Sequence, residues 1–409
     1  MYRQWNNICL YSEEDLFPPE AVSVSAPFEP LVILVRRDGL NSRGLWSVRS
    51  VDEVYEPESV RCLTPLCEDE EGGVLADFVR QHGAAVANVT FARIFELLPR
   101  FLFPKTGGLR VTLVGLGDVG GTVLTGLKLL GHEIDEIAVF DPNEAMCRRY
   151  EMELNQVLPE DPDRPLPRVT VCPQEKLFDC DLFLFTASRG VPALGSKVGD
   201  VRMAQFEANR AMLGTYAQMA RRAGFAGLFC QISDPVDHLA REVFLRSNRD
   251  DDGGYDFAGL LPEQVQGFGL GVMAARAAYY AGKEPVPVAP LRVYGPHGQG
   301  LVVANSAGED YDESLSCRLT ELTRTANLAV RELGFKPYIA PGLSSAAVSV
   351  LRLLRGEDHY GAIALGGAYF GCRNRMTRRG VEICREEICG PLLDRLEETH
   401  RALREFDYA

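Results

Sequence analysis

His297 stands in "LRVYGPHGQGLVVANS", residues 291–306, a glycine-bracketed turn between two apolar runs that read as strands. An imidazole titrates near neutrality and both takes and gives a proton. At a strand end beside Gly295, Gly298 and Gly300, other groups can approach it closely, so the position suits a proton carrier. A second chemical signal is "VTLVGLGDVGGTVLTGL", which contains Gly115-x-Gly117-x-x-Gly120 directly after a strand and opening a helix. The first glycine permits the tight turn, and the second lets a pyrophosphate approach the backbone. The third lets helix and strand pack closely, with Asp118 and Val119 in the helix's first turn, aimed at the phosphates. Asp141 ends the next strand, "IAVFD", 21 residues beyond Gly120. A carboxylate there bonds ribose hydroxyls and repels a 2′-phosphate, so the pattern points to a dinucleotide cofactor, NAD rather than NADP.

The elements around these residues alternate. "RVTLVG", "DEIAVFD", "RVTVC", "DLFLFTA" and "GFAGLFCQI" are apolar strand runs, separated by helices from Asp118, through 143–157, across 203–224 and from Pro235. Apolar strands joined by helices of this length predict a parallel sheet covered on both faces. The exposed loop "SNRDDDGGYD" (247–256) ends this unit. Helices at 270–282, 313–334, 342–355 and 386–405 and the strand pair around His297 make up the remainder. Before the boundary "PKTGG" (104–108), the strand runs "LVILVRR" and "LWSVRSV" and two helical patterns predict a small α/β unit of unassigned role.

Composition narrows the function classes. The 409 residues carry a formal charge of −14, which argues against nucleic acid or an anionic membrane as partner. No run approaches the length of a membrane span, and the start "MYRQWNNICLYSEEDLFPPE" does not read as a signal peptide. The eleven cysteines are scattered, and the spacings of Cys62/Cys67 and Cys384/Cys389 suit neither a zinc knuckle nor a redox pair. Reduced thiols in a cytoplasmic protein without a bound metal are the expectation.

From about Gly107 to the C-terminus, the order of several short motifs resembles the NAD-dependent lactate and malate dehydrogenase family. "DCDLFLFTASRGVP" is similar to the family's fourth strand and the start of its active-site loop. "GDVRMAQFEAN" resembles its loop arginine and the asparagine of the following helix. "QISDPVD" resembles its S-N-P-V-D strand end, "VQGFGLGVMAAR" its arginine-bearing helix, and "YGPHGQG" its G-E-H-G turn. The resemblance implies a Rossmann-type doubly wound parallel sheet at 107–257. An α+β catalytic domain follows at 258–409, and the extension 1–106 lies outside the match. It further implies hydride transfer between NAD and a 2-hydroxy or 2-oxo acid, a small carboxylic acid substrate, and a homo-oligomer, dimer or tetramer. By resemblance, His297 is the acid/base and Arg276 clamps the substrate carboxylate. Arg202 polarises the carbonyl from a closing loop. Asn209 also reaches the substrate, and Thr186, Ala187, Ser188 and Ser233 line the cofactor path.

The chain departs from that pattern. The family's helix reads L-D-x-x-R, and Met273 stands where its aspartate, the partner of the histidine, is expected. A thioether neither fixes the imidazole tautomer nor favours the imidazolium. Asp234 replaces the asparagine of S-N-P-V-D. Before Pro235 it suits a helix N-cap, and alternatively it returns a carboxylate to His297 from another direction. The loop "TASRGVPALGSKVGDVRMAQFEAN" is longer than the family's. The position that discriminates malate from lactate therefore stays open among Arg189, Ala193 and Lys197. Pro337 falls near an expected threonine. Two functions follow as expectations: a dehydrogenase acting on an unidentified 2-hydroxy acid, or an NAD-binding descendant with little turnover that serves a partner. A third, metal-assisted processing of phosphorylated sugars, is disfavoured because no cysteine joins His297 in a ligand set.

Overall fold

The computed structural model describes residues 1–66, 72–105, 107–189, 201–285 and 291–408, without the side chains of 201–204. Strands and helices are numbered along the chain. After residue 106, five parallel strands form where the apolar runs predict them, and a sixth, beyond the loop expected to end the unit, joins them. Strands β7 (Leu109–Val114), β8 (Ile134–Phe140), β9 (Arg168–Val171), β10 (Leu182–Phe185), β11 (Leu228–Gln231) and β12 (Val265–Gly267) pair in parallel in the order β9-β8-β7-β10-β11-β12. The intervening helices are α4 (Asp118–Leu130), α5 (Glu144–Leu154), α6 (Val201–Arg222) and α7 (Val236–Ser247). Every side chain of β10 is buried, which is why "LFLF" reads as an unbroken apolar run rather than an alternating one.

The chain then forms α8 (Leu270–Ala281) and the antiparallel pair β13 (Arg292–Tyr294) and β14 (Val302–Ala304), which flanks His297 as expected. Helix α9 (Glu313–Glu332), a π-helical segment Pro341–Ala347 and α10 (Val348–Leu354) follow. Next come the antiparallel strands β15 (His359–Leu365), β16 (Ala368–Thr377) and β17 (Gly380–Ile383), and the closing helix α11 (Gly390–Arg404). Strand β15 joins β12 through a single residue pair, Gly267↔Ala362.

The first hundred residues contribute β1 (Tyr2–Trp5), β2 (Ile8–Tyr11), β3 (Val22–Ser23), β4 (Leu31–Val35), β5 (Leu45–Val48) and β6 (Ala84–Asn88). Their helices are the single turn α1 (Asp52–Tyr55), α2 (Val74–His82) and α3 (Ile94–Leu102). This unit continues the same sheet. β5 pairs with β17 through Trp46↔Val381, and β6, β4, β2, β1 and β3 extend it outward, giving 15 strands among the described residues. The unit also shares a core with the parallel sheet. Phe91, just after β6, is 1% exposed and packs edge-on against Phe244 of α7 and Phe257. Burying such a ring contributes roughly 2–3 kcal/mol.

One buried carboxylate fastens the two parts. Glu263, in a 3-10 turn before β12, is 2% exposed and accepts from the backbone N–H groups of Gly44 (3.0 Å) and Leu45 (2.9 Å). Burial pushes its carboxyl up to about 8, against the lowering effect of those hydrogen bonds.

Candidate active site

The glycine turn takes the form that its spacing requires. Gly115 has φ 94°, and a Cβ there would lie 2.5 Å from the backbone nitrogen of Ala187. A Cβ on Gly120 would meet the Gly115 carbonyl oxygen at 1.9 Å and Thr186 Oγ1 at 2.6 Å. Both positions are therefore closed by the protein itself. Gly117 differs: nothing lies within 4 Å of a Cβ built on it, and it caps α4 without any side-chain hydrogen bond. The space beside Gly117 at the N-terminal end of α4 is thus open, the end of a helix where orphan N–H donors and the dipole favour an anion.

Around the turn, Thr186 Oγ1 donates to the Gly115 carbonyl at 2.6 Å, tying the end of β10 to the turn. Asp141 accepts from Leu116 N–H and Asn143 N–H, both at 2.9 Å, one on each carboxylate oxygen. It braces the turn and keeps a lone pair on each oxygen for a hydroxyl. Val119 is partly buried in the first turn of α4, and Asp118 beside it pairs with Lys336 Nζ at 2.9 Å across the surface.

The ends of β10 and β11 are stitched together by side chains. Ser233 Oγ donates to the Ala187 carbonyl at 2.7 Å. Asn209 is 1% exposed. Its Oδ1 accepts from Arg189 N–H (2.9 Å), and its Nδ2 donates to the Asp234 carbonyl (2.9 Å) and reaches Ser188 Oγ at 3.5 Å. Asn209 is thus a strut between two loops. The backbone of Arg202 opens α6, while its side chain lies outside the described residues, as do Ala193 and Lys197.

His297 is held at two points. Its backbone N–H donates to Asp237 Oδ2 at 2.9 Å, and its Nδ1 lies 2.8 Å from Asp234 Oδ1. Asp234 therefore does not cap α7; Pro235 holds the N-cap position with no side-chain hydrogen bond. An ionised carboxylate only accepts, so the pair places a proton on Nδ1 and leaves Nε2 as the nitrogen that can serve a substrate. The buried Asp237, 5% exposed, has its carboxyl pushed up to about 6 by desolvation, with the bond from His297 N–H pulling the other way.

Met273 is 3% exposed, and its sulfur lies 3.9 Å from Arg276 Nη1. It joins the apolar cluster of Leu270 and Val293 rather than the imidazole. Burial holds the Arg276 guanidinium below its ordinary value, and the Asp234 carboxylate opposes that shift. One clamp was not legible in the sequence: Ser345 Oγ accepts from Val272 N–H (2.9 Å) and donates to the Gly269 carbonyl (2.7 Å), fixing the first turn of α8. The small-residue run "GLSSAA" was its only signal.

Sequence and structural comparisons point the same way. No family model matches the chain. It is 27% identical over 243 residues to an L-lactate dehydrogenase of Corynebacterium jeikeium, covering 58% of this chain and 68% of that protein. It is 28% identical over 331 residues to an L-lactate dehydrogenase of Corynebacterium glutamicum, covering 74% and 98% respectively. Among solved structures, a lactate dehydrogenase from a deep-sea metagenome library superposes with TM-score 0.59 at 18% identity, covering 73% of this chain and 98% of its own. A malate dehydrogenase of Archaeoglobus fulgidus, solved with NADH, gives 0.57 at 17% over the same shares.

Proposed function

From a chain related in sequence to lactate dehydrogenases, and in fold to lactate and malate dehydrogenases, we propose a nicotinamide-dependent 2-hydroxy acid dehydrogenase with a relocated acid/base pair. The observation that carries the reading is the 2.8 Å contact between His297 Nδ1 and Asp234, beside an open glycine turn. The residues fit the cofactor. The space before Gly117 accepts the diphosphate, and the lone pairs on Asp141 suit ribose hydroxyls and favour NAD over NADP.

The bound nicotinamide supplies the hydride acceptor or donor. In the oxidative direction, His297 Nε2 takes the proton of the C2 hydroxyl as the C–O bond becomes a carbonyl. Asp234 holds the ring by Nδ1–H and stabilises the imidazolium that forms. Asp237 fixes the backbone beneath the ring. Arg276 receives the substrate carboxylate as a fork, and Arg202, whose side chain lies outside the described residues, is assigned to the carbonyl by the resemblance alone.

Optical assay of NADH and NADPH oxidation with pyruvate, oxaloacetate and larger 2-oxo acids tests this reading. Turnover that disappears in His297→Ala is the expected result. No turnover from protein shown to bind NADH sinks the enzyme and leaves the second reading, a dinucleotide-binding protein of this lineage. Met273, packed on Arg276 where the family places an aspartate, is the observation that favours that alternative.

A further inference from the structure

The seam between the N-terminal unit and the sheet contains a cavity of about 340 Å³ whose walls carry five guanidiniums but three carboxylates, Glu53, Asp358 and Glu382. In a chain of net charge −14, a place where three guanidiniums share two carboxylates, a local excess of one positive charge, is unusual. It arises at the mouth. The two inner arginines have carboxylates of their own outside the cavity wall: Arg43 bonds Glu58 at 3.1 Å and Arg385 bonds Glu56 at 2.7 Å. The three outer ones, Arg49, Arg373 and Arg375, share two. Asp358 bridges Arg373 (2.6 Å) and Arg375 (3.5 Å), while Glu382 bridges Arg375 and Arg49 (3.6 Å).

Each guanidinium offers five N–H donors in a planar fork. At the mouth, most of these donors meet no protein acceptor among the described residues. Arg373 and Arg375 are two positions apart on β16, so they project from one face of the strand. Arg49 follows β5 and comes at them from the other side of the seam. Charge, fork geometry and size converge on one kind of ligand.

We propose that this cavity binds a small oxyanion of the phosphate-monoester or dicarboxylate kind, clamped between Arg49 of the N-terminal unit and Arg373 and Arg375 of β16. The excess positive charge and the unfilled forks at the mouth favour an oxyanion, and the volume lies at the lower end of small-molecule sites. Planar forks on oxyanions are the strong, bidentate kind of hydrogen bond. The ligand would bridge the seam where β5 and β17 share only Trp46↔Val381.

Trp46 supplies the readout, since its ring lies 4.7 Å beneath the Arg43 guanidinium and is 1% exposed. The experiment titrates the full-length protein with inorganic phosphate and, separately, with succinate, at ionic strength held constant with sodium chloride. Tryptophan emission and thermal midpoint are followed. A saturable response to either anion, weakened at least about tenfold in Arg375→Gln and in Arg49→Gln, is expected; the responding anion names the class. Phosphate bound at the glycine turn would be indifferent to both substitutions. Arg49 has a side chain 56% exposed, so its replacement leaves the fold intact even if Arg375→Gln fails to fold. No saturable response to either anion beyond sodium chloride, or undiminished affinity in Arg49→Gln, overturns the proposal.

Discussion

Asp234 Oδ1 lies 2.8 Å from Nδ1 of His297, so the imidazole has a carboxylate partner although the residue on α8 that would supply one is Met273. The partner comes from the end of β11 rather than from α8, and its charge also acts on Arg276.

Replacing that partner separates orientation from charge. Asp234→Asn keeps an acceptor oxygen but loses the carboxylate, and kcat is expected to fall by roughly 10²-fold with a smaller change in KM. Adding Met273→Asp to that variant restores a carboxylate one helical turn from Arg276, and part of the lost rate returns. If kcat in the double variant stays flat or drops further, the two aspartates are not interchangeable and the relocation is wrong.

The glycines of the turn predict opposite phenotypes. Gly117→Ala should fold normally, because its φ of −69° suits alanine and its Cβ meets nothing. Dinucleotide affinity should nevertheless fall, since the methyl occupies the approach of the diphosphate. Gly120→Ala drives a methyl into the Gly115 carbonyl and should lower the thermal midpoint itself. Calorimetric titration with NADH beside a melting curve distinguishes them. Equal NADH affinity in Gly117→Ala and the parent protein would place the cofactor elsewhere.

Arg276 tests carboxylate recognition. Arg276→Lys preserves charge but not the fork, and KM for the acid should rise about tenfold or more while dinucleotide affinity is unchanged. An unaltered KM would remove Arg276 from the substrate site.

Glu263 predicts a pH dependence of stability. Its folded value of about 8 lies above the roughly 4.3 of an unfolded glutamate. Between those limits the folded state binds more protons, so stability falls as pH rises through the window, by an amount on the order of a few kcal/mol. Glu263→Gln should flatten this fall. Urea midpoints from about pH 5 to about pH 8 that run parallel in both proteins would show that Glu263 does not titrate there.

Legibility followed the reach of the interactions. The parallel sheet was readable because strands buried on both faces are continuous apolar runs, and the glycine turn because its spacing is local chemistry. Strands β1, β2, β3, β6, β12 and β15 to β17 were not assigned from sequence; "AAVAN" carries too little side-chain signal to declare a strand. The seam Trp46↔Val381 joins residues distant along the chain, and no local pattern announces it. The strand pair flanking His297 was legible from the glycine-bracketed turn between two apolar runs. Which of two roles Asp234 takes depended on the path of the chain at Pro235, which tertiary packing decides.

The continuity of the sheet also bears on solubility. Without the first hundred residues, the backbone groups of β17 on its β5 side would form an open edge, the kind of surface on which another chain can add a strand. With them, the sheet among the described residues instead ends at β3, only two residues long. The N-terminal unit thus acts as a terminator of strand addition, so a truncated protein would be prone to self-association whatever becomes of its active site.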